Sequence, residues 1–125
     1  MLLIVGTTLA GLVGAGLLFL GLLPFRTPQA ATGFGIPDTP VDDPVFQAWL
    51  TVKAVRDLAS GIFIFILIIG GSPALLGWFM LAVTVIPAGD ALIVLRSGGS
   101  KAIAYGTHGT VAAAMPAISL LLLLG

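Results

Sequence analysis

Four long, predominantly apolar stretches run through the chain, separated by prolines, glycine-rich turns and short polar segments. They cover residues 2–23, 45–70, 74–95 and 102–124. A helix needs roughly 20 residues to cross the hydrocarbon core of a bilayer, and each stretch reaches that length. The pattern predicts an all-α integral membrane protein, a bundle of four transmembrane helices forming one domain over residues 1–125.

The first stretch carries no charge, has no basic segment before it and has no convincing small-residue cleavage site after it. We therefore expect a spanning helix rather than a signal peptide that is removed. Small residues recur at four-residue spacing in two stretches, which predicts edges where a neighbouring helix approaches closely. They are Gly6, Ala10 and Gly14 in the first stretch, and Gly109, Ala113 and Ala117 in the fourth.

Residues 25–44 form a loop rich in proline and glycine, long for a connection between helices of a bundle. Its middle, residues 32–37, is apolar enough to lie on the membrane or to fold over the mouth of the bundle. A lid and a plain solvated connector are both compatible with this composition. Asp43 before Pro44 predicts the N-cap and the first residue of the second helix.

Charged residues lie inside the second stretch. Only the run Leu58 to Gly70 follows Asp57, and its 13 residues cover about 20 Å of a core about 30 Å thick. The near interface therefore falls around Thr51, with Lys53 just below the headgroups and Arg56 and Asp57 deeper. On a helical wheel, the polar side chains fall within about 100° of one another, which predicts a single inward stripe. Its members are Trp49, Lys53, Arg56, Asp57 and Ser60.

Two other stretches carry an ionisable residue at a similar depth. Pro87 to Asp90 predicts a kink followed by a carboxylate about one turn inside the membrane, and the same counting places His108 about one turn inside. With four spans, all these groups face the end that carries the 25–44 loop, called here the loop side. We predict one cavity there, with Asp57, Asp90 and His108 as catalytic residues. The predicted ligand-binding residues are Trp49, Lys53, Arg56, Ser60 and Tyr105.

A purely structural interpretation of the same residues remains open. Arg56 and Asp90 could form an ion pair between helices, and Lys53 and Asp57 are spaced to pair within one helix. His108 could simply hydrogen-bond a backbone carbonyl. Ionisable groups inside a membrane are by default functional, which favours a working site.

The composition supports the membrane assignment and excludes several classes of function. The chain is 58% hydrophobic and 8% charged, with a mean hydropathy of +1.19, whereas a soluble domain carries about 25% charged residues. The net charge of zero provides no basic patch for nucleic acid. With no cysteine and one histidine, we expect no metal site, and the absence of a nucleotide motif predicts no cofactor.

Several short motifs resemble an uncharacterised family of small four-helix membrane proteins of fungi and bacteria, known as a domain of unknown function. The motifs are Lys53 to Gly61 (KAVRDLASG), Pro87 to Asp90 (PAGD), His108-Gly109 and Gly33 to Pro37 (GFGIP). The resemblance extends over nearly the whole chain. It implies a four-helix fold and no established activity.

Three functional hypotheses follow from these observations. The first is a membrane enzyme that isomerises or cyclises a lipophilic small molecule by acid/base chemistry without a cofactor. The second is a binding protein or proton-coupled transporter, in which the same groups carry a proton or neutralise a charged substrate. The third is an accessory subunit of a larger membrane complex, or a homo-oligomer, with purely structural charges. In each case the bilayer is a partner.

Overall fold

A computed structural model describes residues 1–125, all of them in helices, turns or short connections, with no strand. Its α-helices are α1 (Leu2–Leu22), α2 (Pro44–Gly70), α3 (Pro73–Val83), α4 (Val85–Arg96), α5 (Lys101–Ile103) and α6 (Thr110–Leu124). Two 3₁₀ turns, Leu23–Phe25 and Pro28–Phe34, lie in the connection after α1, and a π-helical segment, Ala104–Gly109, joins α5 to α6. The predicted all-α class is confirmed.

Three helical segments of 24 residues each are long and apolar enough to cross a membrane: Leu2–Phe25, Pro73–Arg96 and Lys101–Leu124. They account for three of the four predicted spans. Helix α2 is 27 residues long, but its first half carries Lys53, Arg56 and Asp57. The fourth span therefore stays a prediction.

The helices pack as a closed ring in which α1 contacts α2 and α6, and α3 contacts the same two helices. The chain termini lie side by side, since a Cβ on Gly125 would stand 2.9 Å from the backbone nitrogen of Leu3. A small core, including the fully buried Ile64 and Met80, fills the centre of the ring. Apolar side chains also cover much of the outside, as expected of helices that face lipid.

The small-residue edge of α1 is confirmed, because Gly6, Ala10 and Gly14 are buried. Helices α1 and α2 touch backbone to backbone: a Cβ on Gly61 would lie 2.9 Å from the carbonyl oxygen of Gly14. Without side chains at these positions, the two helices approach closely enough for dispersion contacts along their length.

The corresponding edge predicted for the fourth stretch is wrong, since Ala113 and Ala117 are exposed. Helix α6 instead buries Met115, Ile118 and Ser119. The Ser119 hydroxyl donates a 2.8 Å hydrogen bond to the carbonyl of Gly77 on α3. A buried hydroxyl without a hydrogen-bond partner would be costly in apolar surroundings. Because the Ser119 hydroxyl has a partner, the face of α6 that carries it can be buried.

The third segment is interrupted at Thr84, between α3 and α4, rather than at Pro87 itself. Proline has no backbone N–H, so Pro87 cannot donate to the carbonyl of Val83, one turn earlier. Around the gap, the Thr84 amide donates to Leu81 as in a 3₁₀ turn, and the Thr84 hydroxyl donates to the Met80 carbonyl. The proline thus interrupts the helical hydrogen bonding one turn before its own position.

The start of α2 follows the prediction. One carboxylate oxygen of Asp43 accepts hydrogen bonds from the amides of Val45 and Phe46, at 2.7 and 3.0 Å. Pro44 occupies the first turn, where its missing N–H has no partner to lose. These contacts fix the residue at which α2 begins, at the end of the helix that carries its charged residues.

Candidate functional site

His108 lies in the π-helical segment Ala104–Gly109. A π turn holds one residue more than an α turn, so it changes the direction in which its side chains project, and such bulges are frequent at functional sites. The Thr110 hydroxyl donates to the carbonyl of Gly106 at 2.7 Å, which satisfies one backbone oxygen of the widened turn. The histidine ring is half-buried.

Phe34, at the end of the 3₁₀ turn in the 25–44 loop, contacts the ring of His108. Its carbonyl oxygen lies 2.8 Å from Nε2 of His108, and the two ring centroids are 4.4 Å apart. A carbonyl oxygen can only accept, so Nε2 carries the proton, and Nδ1 of a neutral ring is left with the free lone pair. The nitrogen able to take up a proton is therefore Nδ1.

The loop around Phe34 is seated tightly on the other helices. Gly35 has φ of 103°, a left-handed conformation that favours glycine. A Cβ on Gly35 would lie 2.8 Å from Ile103, and a Cβ on Gly99 would collide with the carbonyl oxygen of Gly35 and reach Val94 at 2.7 Å. Glycines on both sides of the contact let this loop lie against the end of α4 and the following turn.

Asp57 is the most buried charged residue of the protein, with 9% of its surface exposed. Its carboxylate forms a 2.7 Å ion pair with the ammonium group of Lys53, one turn earlier on α2. Lys53 is half exposed and also lies 5.4 Å from the centre of the Phe34 ring, within cation–π range. Phe34 therefore contacts both Lys53 and His108, on two different elements.

Asp90, on α4, is half-buried. Helix α4 packs against the π segment that carries His108. The Lys53–Asp57 pair is the protein's only ion pair, so no positive group lies within ion-pairing distance of Asp90. The carboxylate of α4 and the histidine of the π segment therefore lie on two elements that pack against each other.

The structure does not support the predicted intramembrane charge network. Arg56, which was predicted to point into the bundle, points outward. That residue is exposed and unpaired, and its guanidinium donates a 3.0 Å hydrogen bond to the Val52 carbonyl of its own helix. Only part of the predicted stripe of α2 turns inward: Asp57 is buried and Ser60 is half-buried. The reason is that Ala54, not the centre of the polar stripe, is pressed against α1.

Trp49 and Tyr105 lie at the surface, with 70% and 62% of their area exposed. The two best-defined depressions are open surface grooves of about 350 and 310 Å³. Neither is lined by Asp57, Asp90 or His108. Of the predicted site residues, His108 and Lys53 are contacted by Phe34.

Sequence reasoning did not single out Phe34 as a site residue. The apolar GFGIP motif and the length of the loop were the available signals, and both left a lid and a solvated connector open. Only the contact with His108, 74 positions away in the chain, shows which part of the loop lies over the charged groups.

These observations define an all-α protein with three helices long and apolar enough to cross a membrane, and with acidic and basic side chains near one another at one end. The chain belongs to the family described as Domain of unknown function (DUF4267), which matches residues 14–122. No curated protein and no solved structure matches the chain.

Proposed function

We propose that the protein is an integral membrane protein with four spans, in which α2 is the fourth. Two features support this. Helix α2 packs against α1 and α3, two segments that are themselves apolar enough to span. Its second half exposes large apolar side chains such as Ile62, Phe63 and Ile66, which water would not favour. Asp57, its most buried charge, is neutralised by Lys53.

Because the chain has no cysteine, single cysteines can be placed without background labelling. Asp42→Cys reports on the loop before α2, and Ser72→Cys reports on the turn after it; both positions are exposed. In sealed vesicles, a membrane-impermeant maleimide should label only one of the two before permeabilisation. Labelling of both from the same side would mean that α2 does not cross the membrane.

The function that the geometry supports best is acid/base catalysis on a lipophilic small molecule. The observation that carries it is that Asp90 and His108 lie on two elements that pack against each other, with His108 hydrogen-bonded to the Phe34 carbonyl. Asp90 has no ion-pair partner, and the hydrogen bond of Nε2 to Phe34 leaves Nδ1 as the nitrogen of a neutral His108 ring that can accept a proton. One group can remove a proton from a substrate carbon and the other can return one to a different carbon. Such an isomerisation leaves the substrate's composition unchanged and requires no cofactor.

Access to this site would be lateral. Helix α4 packs on the π segment and α6 and makes almost no contact with α2. On the loop side, Phe34 contacts Lys53 on α2 and His108 in the π segment, two elements that also make almost no direct contact. A lipophilic substrate would reach His108 from the bilayer by displacing Phe34, and the ammonium group of Lys53 could then stabilise a developing negative charge.

Solvent deuterium provides a test that does not require the substrate to be known. Purified protein in vesicles is incubated in D₂O with a total lipid extract of the producing cells, and the lipids are analysed by mass spectrometry. Proton abstraction and return should introduce deuterium into a lipophilic compound or convert it to an isomer. Asp90→Asn and His108→Ala should abolish the change while the helical circular dichroism signal is kept, and the loop variant Asp42→Asn is the matched control.

Three results would contradict this proposal. The first is the absence of any exchange or isomer with the wild-type protein. The second is loss of folded protein in both Asp90→Asn and His108→Ala, which would indicate a structural role for these groups. The third is proton flux across the vesicle membrane that depends on the same two residues without any converted lipid, which would indicate transport.

A further inference from the structure

Arg56 is a charged residue without an acidic partner on the outer face of α2. It is exposed, and the protein's single ion pair joins Lys53 to Asp57 instead. If α2 spans the membrane, as proposed above, Arg56 lies about one turn below the interface near Thr51. An uncompensated charge at that depth is unfavourable, so a counter-charge has to come from outside the chain.

The direction of the side chain indicates where that counter-charge lies. The guanidinium of Arg56 reaches back to the carbonyl of Val52, one turn toward the start of α2. This direction leads to the loop-side headgroups, and long basic side chains near helix ends commonly extend that way. Only some of the guanidinium N–H groups are used by the Val52 carbonyl, so others are free to bind an anion.

An apolar groove lies immediately before Arg56 on the same helix. It has a volume of about 350 Å³, it is open to the outside, and it is lined by Pro44, Val45, Ala48, Trp49 and Val52. Trp49 and Val52 precede Arg56 by seven and four positions, so they share its face of the helix. Trp49 is 70% exposed, the position of a tryptophan that lies at headgroup level. The Arg56 guanidinium therefore lies at one end of an apolar groove, at the level proposed for the membrane surface.

We propose that this face of α2 binds one anionic phospholipid. The Arg56 guanidinium donates to two oxygens of the lipid phosphate, a geometry for which arginine is suited. The head group lies outward of the phosphate, beside Trp49, and the glycerol and acyl chains run inward down the exposed apolar face past Phe63. An anionic head is preferred because nothing else on this face neutralises Arg56, whereas a zwitterionic head brings its own positive charge.

The test compares lipids retained by the full-length protein. Wild-type protein is reconstituted in nanodiscs of equal parts phosphatidylglycerol and phosphatidylcholine, released into detergent and analysed by native mass spectrometry. Wild type should retain phosphatidylglycerol over phosphatidylcholine, and Arg56→Gln should lower that preference about fivefold. The matched control is Arg96→Gln, an exposed arginine on α4, which should keep the wild-type preference. Trp49→Ala should lower total lipid retention.

The proposal is overturned if Arg56→Gln and wild type retain the two lipids in the same ratio. It is also overturned if Arg56→Gln changes only the oligomeric state, since the counter-charge would then belong to a second copy of the chain. Asp90→Asn and His108→Ala should keep the wild-type lipid preference. Failure of the deuterium experiment with an intact lipid preference would therefore reject the enzymatic function alone.

Discussion

Lys53 should matter more for stability than Arg56, although the two are neighbours on one helix. Lys53→Met removes the partner of Asp57, which has only 9% of its surface exposed, and leaves that carboxylate unpaired. Arg56→Met removes an exposed charge whose only hydrogen bond is to its own helix. Methionine retains most of the apolar stem of both side chains, so the two variants differ mainly in which charge is lost.

The size of the effect follows from how far the pair is buried. Breaking a fully buried ion pair costs about 3–5 kcal/mol, and breaking an exposed one costs about 0–1 kcal/mol. The side chains of Lys53 and Asp57 are 47% and 12% exposed, so their pair lies between these limits. We expect Lys53→Met to lower the free energy of unfolding by about 2 kcal/mol and Arg56→Met by about 0.5 kcal/mol or less.

The assay is unfolding of the detergent-solubilised protein by a denaturing detergent, followed by circular dichroism. A double-mutant cycle with Asp57→Asn isolates the pair: Lys53→Met should cost much less in the Asp57→Asn background, with a coupling of about 1–2 kcal/mol. Equal destabilisation by Lys53→Met and Arg56→Met would refute the assigned pairing. So would strict additivity in the cycle.

Helix packing provides two further predictions. Gly21→Ala should destabilise the protein by about 1–3 kcal/mol, because its Cβ would lie 2.6 Å from the Leu58 side chain and 2.9 Å from the Ala54 carbonyl oxygen. Gly16→Ala, on the same helix with no atom within 4 Å, is the matched control, and a comparable loss there would contradict the contact argument. Ser119→Ala should cost about 0.5–1.5 kcal/mol by removing its hydrogen bond to α3, and a neutral result in the same unfolding assay would show that the bond contributes nothing.

Local sequence features accounted for the class of the protein and for several details. Long apolar stretches indicated helices because a continuous helix satisfies all its backbone hydrogen bonds within one segment, as lipid requires. Asp43 and Pro44 marked the start of α2, and Gly6, Ala10 and Gly14 marked the packed edge of α1. These features depend on residues within one or two turns of each other, so they are visible without knowledge of the fold.

The rotation of α2 about its own axis was decided by tertiary packing. The polar stripe covers about a quarter of the helix circumference, and the sequence does not say which of its edges faces inward. Contact of Ala54 with Gly21 and of Gly61 with Gly14 brings that side of α2 against α1. Asp57 then points into the bundle, and Arg56, one residue earlier, points out.

The same is true of the loop above the site. Its length and its apolar middle are properties of the sequence, but the position of Phe34 depends on glycines from distant parts of the chain. Gly99 leaves room for the Gly35 carbonyl, and the π segment turns His108 toward the Phe34 carbonyl. Residue types therefore determined which groups could carry chemistry, and close packing between helices distant in sequence determined which of them meet.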